Sequence, residues 1–413
     1  MSCPTRQQRL RLGSSAGEQP QAAQYADTWA IDLQSCLVLT PMVPRASQRR
    51  LNVAIVAPTV GILGGQAVQA ERLVRAWEGD PDVHAWLVPV NPLPVPPLQA
   101  ALRVKYARTV VTQLTYWPLL VRELRRADVV HVFSASYVSF LLAPLPAVLV
   151  ARLLGKPVVM NYRSGEAPDH LRRSAIARGV LRTVQRNAVP SRFLHDVFSA
   201  FGIQSDIIPN IVDLDRFAYR RRSPLRPNIV STRNFEALYN VACTLRAFRL
   251  VQDQHPGARL TLVGGGSGEA GLRALAAQLD LRNVTFAGRV RPDDMWRYYA
   301  EADIYLQTPE IDNMPASVLE AFASGCAVVS TNAGGVPAIL TDGTHGCLVN
   351  CNDHEAAARR ILELLADAAL TDRLTAAGRE SCEAYRWENV RGQWLALYRD
   401  LVRPTAIPAA SPA

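Results

Sequence analysis

Only two lysines, Lys105 and Lys156, stand among the 45 basic residues of this 413-residue chain; the rest are arginine. Seven cysteines, at positions 3, 36, 243, 326, 347, 351 and 382, form no CxxC pair and have no histidine-rich companion. That odd, scattered set argues against a disulfide framework and a zinc site, and for reduced thiols in a cytosolic protein. The opening MSCPTRQQRLRLGSSAGEQP has no apolar core, so secretion is not expected. The most hydrophobic stretch, SYVSFLLAPLPAVLVARLLG, is interrupted by Pro144 and Pro146 and falls short of about 20 clean apolar residues. It is expected to form a buried helix rather than a membrane span. No aspartate-rich metal motif is present either, so neither a metal nor another cofactor is expected.

What is there suits a two-domain globular protein, with 49% hydrophobic and 20% charged residues. The net charge of +9 is uneven. Residues 51–225 carry 21 Lys and Arg against 12 Asp and Glu, whereas residues 226–413 carry 18 against 21. A basic half joined to a mildly acidic one suggests an anionic partner, although an arginine-rich composition alone would give the same count.

Residues 1–50 are polar, show no sustained period and are expected to be disordered. From Leu51 strands and helices alternate. LNVAIVAP reads as a strand buried on both faces, and VHAWLVPV (83–90), DVVHVFS (128–134), KPVVMNY (156–162) and DIIPN (206–210) read as further strands. Helices around 113–126, 137–154, 169–187 and 191–201 separate them. After a linker-like FAYRRRSPLRP (217–227) the alternation resumes with NIVSTR, ARLTLVGGG, NVTFAGRV, DIYLQT, CAVVST and CLVN as strands. Two consecutive βαβ series imply two doubly wound parallel sheets, an α/β class. The expected domains are 51–220 and 221–384. A closing amphipathic helix over 385–403 is expected to pack back on the first domain.

The stretch EIDNMPASVLEAFASGCAVVSTNAGGVPAIL (310–340) carries the chemistry. Pro315 suits the first helical position and Gly325 the C-terminal cap, so a helix over 315–324 is expected. Its orphan N–H groups at Met314, Ala316 and Ser317 would make an anion site. Glu320, two turns in, would meet hydroxyls, because carboxylate and phosphate repel. Asp312, ahead of the helix, could accept from another polyol. Anion and hydroxyls together outline a sugar nucleotide. Read singly, Asp312 could be a cap and Glu320 a solvated helix residue.

The combination LEAFASG, VVST and GGVPAI resembles the donor-binding signature of family four retaining glycosyltransferases with the GT-B fold, of the bacterial cell-surface polysaccharide type. Further landmarks follow in the family's order: VPSRFLHDVF (189–198), IPNIVDLDRF (208–217), LTLVGGGSG (260–268), VTFAGRV (284–290) and YRWENV (385–390). The resemblance runs over about 51–402. It implies two Rossmann-like domains facing across a cleft, the first on the acceptor side and the second binding the donor. It assigns Glu320 to ribose hydroxyls and Asp312 to the neighbourhood of the transferred sugar. Asn313 and Met314, with the helix N-terminus, would offer backbone N–H groups to sugar and diphosphate, and Pro315 at the helix start would line the donor site beside them. Arg233 matches the family arginine on the diphosphate, Arg289 and Val290 edge the base, and Gly64 and Gly65 match the first-domain glycine loop.

Three departures stand out. Asp312 is one methylene shorter than the usual Glu. Leu238 and Tyr239 occupy the place of a basic partner to Arg233. Arg163 replaces a histidine at the end of the strand before the first domain's catalytic loop, where it would help stabilise a leaving diphosphate. Glu166, Asp169 and His170 lie in the loop expected near the acceptor, although each could equally be a cap or surface residue. Arg178, Arg182 and Arg186 recur every fourth residue opposite Ile176, Val180 and Val184, a pattern that suits either an interfacial helix beside anionic lipid or a solvated helix face. Nucleic acid is not an expected partner, since no aromatics interleave the arginines. The resemblance thus implies a metal-independent hexosyltransferase, cytoplasmic and peripheral at the inner membrane face, with a nucleotide-sugar donor and a saccharide or lipid-linked acceptor. A catalytically silent sugar-nucleotide-binding protein and a GT-B nucleotide-sugar epimerase are the alternatives.

Overall fold

A computed structural model describes residues 49–59, 64–93 and 105–403, with the side chains of 105 and 106 left aside. The expectation of disorder over residues 1–50 falls almost wholly outside this range, as do residues 60–63 of the glycine loop.

The first lobe is built on β1 (Leu51–Ala57), β2 (Val83–Pro89), β3 (Val129–Phe133), β4 (Val158–Asn161), β5 (Arg186–Val189) and β6 (Asp206–Ile207). These strands pair in parallel in the order β2-β1-β3-β4-β5-β6. The second lobe holds β7 (Asn228–Ser231), β8 (Arg259–Val263), β9 (Val284–Gly288), β10 (Ile304–Gln307), β11 (Ala327–Thr331) and β12 (Cys347–Val349). Their order, β12-β11-β10-β7-β8-β9, is again all parallel. Every residue of β3, β4, β10 and β11 is buried, as continuous apolar runs demand when helices cover both faces. The strand order reverses between β1 and β3 in one sheet and between β7 and β10 in the other. Ligands of such sheets sit beyond the strand C-termini at those switch points. This is the GT-B architecture.

The helices of the first lobe are α1 (Gly65–Ala76), α2 (Lys105–Leu124), α3 (Tyr137–Leu142), α4 (Pro144–Leu153), α5 (Ala167–Arg173), α6 (Ala175–Thr183) and α7 (Arg192–Ala200). The second lobe carries α8 (Val241–Gln254), α9 (Glu269–Gln278), α10 (Met295–Glu301), α11 (Ala316–Ser324), α12 (His354–Ala366) and α13 (Ala368–Ser381), and the chain closes with α14 (Trp387–Val402). The stretch expected as one helix over 137–154 breaks at Ala143, because the residue before a proline is pushed out of the helical region. No described helix is long and apolar enough to cross a membrane.

The expected helix 169–187 also divides. Ser174 ends α5 and caps α6, its hydroxyl accepting from the Ala177 N–H at 3.1 Å. Arg186 then lies on β5, so the three-arginine helical stripe does not exist. Arg178 is spent on the carbonyls of Leu171 and Arg172, and Arg182 on that of Phe201 at 2.7 Å. The expectation of an interfacial arginine helix is corrected: these guanidiniums close helix ends.

Helix α14 returns to the first lobe, where Val390, Trp394, Leu395, Leu397 and Tyr398 join the core cluster of β1, β3 and α1. Trp387 meets Trp77 edge-on with ring centroids 4.6 Å apart. Arg391 forks onto Asp80 at 2.7 and 3.0 Å and reaches Asp82 at 2.6 Å. Truncating Trp394 to alanine would cost about 3–5 kcal/mol by the usual measure of a buried indole.

Candidate active site

A cavity of about 350 Å³ opens between the lobes, beyond the C-terminal ends of both sheets. Two of its charged walls come from the strands at the second sheet's switch point. Thr232 and Arg233 follow β7, and the loop to Asp312 follows β10. The Arg233 Nη2 lies 2.5 Å from Asp312 Oδ2, and its Nη1 lies 3.2 Å from Ser317 Oγ. The two side chains are 10% and 13% exposed. Burial opposes the guanidinium's charge, but the Asp312 carboxylate overrides it and holds the pKa above its ordinary value. The Arg233 plane rests 4.1 Å over the ring of Tyr239, one of the two residues that replace the missing basic partner. Its Nε is buried without a hydrogen-bond partner among the described residues.

Two glycines explain how this pair is held. Gly264 adopts φ +158°, and a Cβ there would collide with the Arg233 carbonyl oxygen. Gly334 adopts φ +50°, and a Cβ there would collide with the carbonyl oxygen of Asp312. The glycine-rich segments of the second lobe therefore press backbone against the loops that carry the charges.

Helix α11 is buried from Ser317 to Ser324 and ends on Gly325 in the left-handed conformation, φ +77°. Pro315 serves as its N-cap residue with extended ψ, rather than as the first helical residue. Glu320 is buried and fully engaged. Its Oε1 accepts from Arg72 Nη2 at 2.5 Å and its Oε2 from the Tyr299 hydroxyl at 3.0 Å. Tyr299 in turn lies 2.8 Å from Thr232 Oγ1. Burial, then the Glu320 charge, raises the phenol's pKa well above normal, so it stays a donor. The solvated-helix alternative for Glu320 is excluded.

Asn313 does not offer its backbone N–H, which is donated to Asp312 Oδ1 at 2.8 Å. Its side chain instead joins the lobes, accepting from Ser191 and donating to the Arg163 carbonyl at 3.4 Å. Met314 lines the cavity while its carbonyl accepts from Asn210 at 2.7 Å.

From the first lobe, Arg163 donates from Nη1 to Asn161 Oδ1 at 3.3 Å and lies over the Phe133 ring at 5.4 Å. Its Nη2 is buried without a partner among the described residues, and burial lowers its pKa. Gly64, Gly65 and Glu166 also line the cavity, as do Arg289 and Val290 opposite. Asp169 and His170 do not line it. Asp169 points outward to Tyr137 at 2.8 Å, Arg172 at 2.7 Å and Arg173 at 2.9 Å. His170 is buried behind the wall, its Nδ1 2.8 Å from the Tyr162 hydroxyl, and burial lowers its pKa. Both belong to α5, whose periodicity turns them away once Glu166 takes the N-cap position. Arg72, Tyr299 and Thr232 carry no motif signal; they enter the site only through contacts that the fold creates.

Two facing parallel sheets with the cleft between them define the GT-B fold class. Residues 216–381 match the family model described as glycosyl transferases group 1, and residues 63–216 match glycosyltransferase family 4. The matches meet at residue 216, and the chain belongs to this family.

Among curated relatives, the sulfoquinovosyl transferase of Arabidopsis thaliana is 26% identical over 68% of this chain and 59% of its own length. The phosphatidyl-myo-inositol mannosyltransferase of Mycobacterium leprae is 25% identical over 74% of this chain and 81% of its own. The chain thus spans about six-tenths of the first of these relatives. Anabaena HepE, solved with UDP and glucose, superposes with a TM-score of 0.67 at 14% identity, over 85% of this chain and 100% of that one. Sucrose-phosphate synthase from Thermosynechococcus elongatus gives 0.67 at 20% identity, over 85% and 99%.

Proposed function

We propose that the protein is a retaining glycosyltransferase that moves a hexosyl unit from a nucleotide sugar to a hydroxyl of a saccharide or lipid-linked acceptor. The observation that carries this reading is the pairing, in one cavity, of buried guanidinium N–H groups without partners among the described residues with two carboxylates at the start of α11. Arg233 Nε and Arg163 Nη2 are such donors. Asp312 and Glu320 line the same cavity. A molecule that brings a diphosphate and hydroxyls together complements both sets. The neighbour solved with UDP and glucose, and relatives named for mannosyl transfer to phosphatidylinositol, favour the same chemistry.

In this reading the bond from the sugar's anomeric carbon to the diphosphate oxygen breaks. A bond from that carbon to the acceptor oxygen forms on the same face. The acceptor's proton passes to the departing diphosphate, so no protein nucleophile is required. Arg233, Arg163 and the α11 N-terminus stabilise the charge on the leaving group, and Asp312 orients sugar hydroxyls. The arginines supply the positive charge, so turnover is expected to survive chelators.

A lipid-linked acceptor would bring the first lobe to a membrane. The row Val110, Leu114 and Trp117 on α2 projects outward, and Arg122, Arg125 and Arg126 are exposed at that helix's end. Vesicle binding that requires anionic lipid and falls in Leu114→Glu supports this face; binding unaffected by the substitution removes it.

The replacement of the expected basic residue by Leu238 favours a second reading, a silent sugar-nucleotide-binding protein. Calorimetric titration with UDP, GDP and ADP, repeated on Glu320→Ala, tests the site. Micromolar binding of one nucleotide, lost in the variant, supports it. Equal binding by both proteins overturns it. Nucleotide release only with acceptor present then selects the transferase; an altered sugar without transfer would select the epimerase.

A further inference from the structure

Arg72 belongs to none of the motifs, yet it is a charged residue that the first lobe places against the heart of the second. It sits on α1 between Gln69, which brackets Ile211 through both its amide atoms, and Arg75, which reaches Asp293 at 3.4 Å. These positions recur every third residue, so one face of α1 carries Gln69 on the Ile211 segment and two arginines that reach carboxylates of the second lobe. The Arg72 side chain is 15% exposed and its partner Glu320 9%. One arm of its fork is on Glu320 Oε1; the other nitrogen, Nη1, is buried with no partner among the described residues. Arg72 lines the same cavity as Arg233 and as Leu238, the residue that stands where a second cation is missing.

Resting on the nucleotide-sugar reading above, we propose that Arg72 is that second cation, delivered to the donor's diphosphate by the first lobe. The chemistry is an exchange. A ribose diol arriving at Glu320 meets Arg72 on one carboxylate oxygen and Tyr299 on the other. Neutral hydroxyls can take the carboxylate from a guanidinium only if the guanidinium gains another anion, because a buried unpaired charge is costly. The diphosphate on the same ligand supplies that anion. A nucleoside alone strands Arg72, and a diphosphate alone strands Glu320. Together they swap partners without leaving a charge unpaired. Because Arg72 belongs to α1, the swap also ties the first lobe to the donor held by the second.

The test is calorimetric titration with the nucleoside diphosphate that the wild type binds, and with the matching nucleoside, on wild type, Arg72→Gln and Arg72→Lys. Arg72→Gln is expected to weaken the diphosphate at least about tenfold, the scale of a lost charge-assisted contact. The nucleoside should bind it no more weakly than wild type, since its hydroxyls no longer compete with a cation. Arg72→Lys, which keeps the charge without the fork, should fall between. Equal weakening of both ligands, or of neither, overturns the proposal and leaves Arg72 as a support for Glu320. Should Arg72→Gln not fold, an Arg72→Lys affinity for the diphosphate equal to wild type overturns it. A wild type that binds no nucleoside diphosphate sinks the nucleotide-sugar reading and this proposal with it, whereas the variant results bear on Arg72 alone.

Discussion

His131 on β3 bridges the cleft and the closing helix: its Nδ1 lies 2.7 Å from the Tyr398 hydroxyl, and its Nε2 lies 3.0 Å from Asn161 Nδ2. Asn161 Oδ1 accepts from Arg163, so its amide nitrogen faces the imidazole and Nε2 is the acceptor. Nδ1 then carries the proton and donates to Tyr398. The chain Arg163, Asn161, His131, Tyr398 ties a cleft guanidinium to α14 through successive side-chain hydrogen bonds.

This neutral histidine makes stability depend on pH. Burial first, and the Arg163 charge second, lower the His131 pKa from 6.5 to about 3. Between those values the unfolded chain binds a proton that the folded one refuses, so stability falls on acidification by about 1.4 kcal/mol per pH unit. Phe133 and Trp394 fill the remaining contacts and offer no counter-charge. Urea unfolding of wild type and His131→Gln from pH 7 to 5 should show the variant's curve flatter by about one proton. Parallel curves would exclude His131 as the source.

Tyr299→Phe removes a donor from Glu320 without changing the packing. The hydrogen bond it deletes goes to a buried carboxylate, a class worth about 1.5–3 kcal/mol. Nucleotide affinity is therefore expected to fall about tenfold or somewhat more. Thermal unfolding should show a folded protein, with Thr232 left short of a partner. Unchanged affinity would mean that Glu320 is oriented by Arg72 alone.

Both sheets were legible because the central strands are dominated by apolar residues, as in LNVAIVAP and CAVVST, and the start and stop of α11 were written in Pro315 and Gly325. The break in 169–187 was hidden: its only signal is Ser174, and a capping serine looks like any other serine until its hydroxyl meets the Ala177 N–H. Asp169 and His170 misled because they were assigned to an acceptor-side loop although the expected helix already began at 169, and a helix turns residues three and four past its cap away from the cleft. Arg72 was illegible in principle. Its partner lies 248 residues away, and only the packing of the two lobes brings them together.

Gly334→Ala tests the glycine argument. The substitution forces a Cβ into the Asp312 carbonyl at a positive φ, so backbone and not a flexible side chain must move. A cost of several kcal/mol is expected, beyond the roughly 1 kcal/mol of a lost left-handed glycine alone. Because the displaced residue is Asp312, nucleotide-sugar affinity should fall further than that of the nucleoside. Gly179→Ala serves as the control: it lies inside α6, where an added Cβ would meet no described atom within 4 Å, and it should stabilise rather than weaken.

Arg163→Gln should separate stability from function in opposite directions. The guanidinium has one long hydrogen bond and a ring beneath it but no carboxylate partner among the described residues, and burial works against its charge. Removing a buried unpaired cation generally relieves the folded state, so the variant is expected to melt no lower, and by about 1 kcal/mol more stably, than wild type without added ligand. The same nitrogen that costs stability is the one available to an anion. Pyrophosphate should therefore raise the melting temperature of wild type and raise that of Arg163→Gln much less. Transfer should fall chiefly in kcat, since charge on the leaving group is greatest as the bond breaks. A variant that is less stable, equally responsive to pyrophosphate and unaltered in kcat would show that Arg163 supports the Asn161–His131–Tyr398 chain instead of the leaving group.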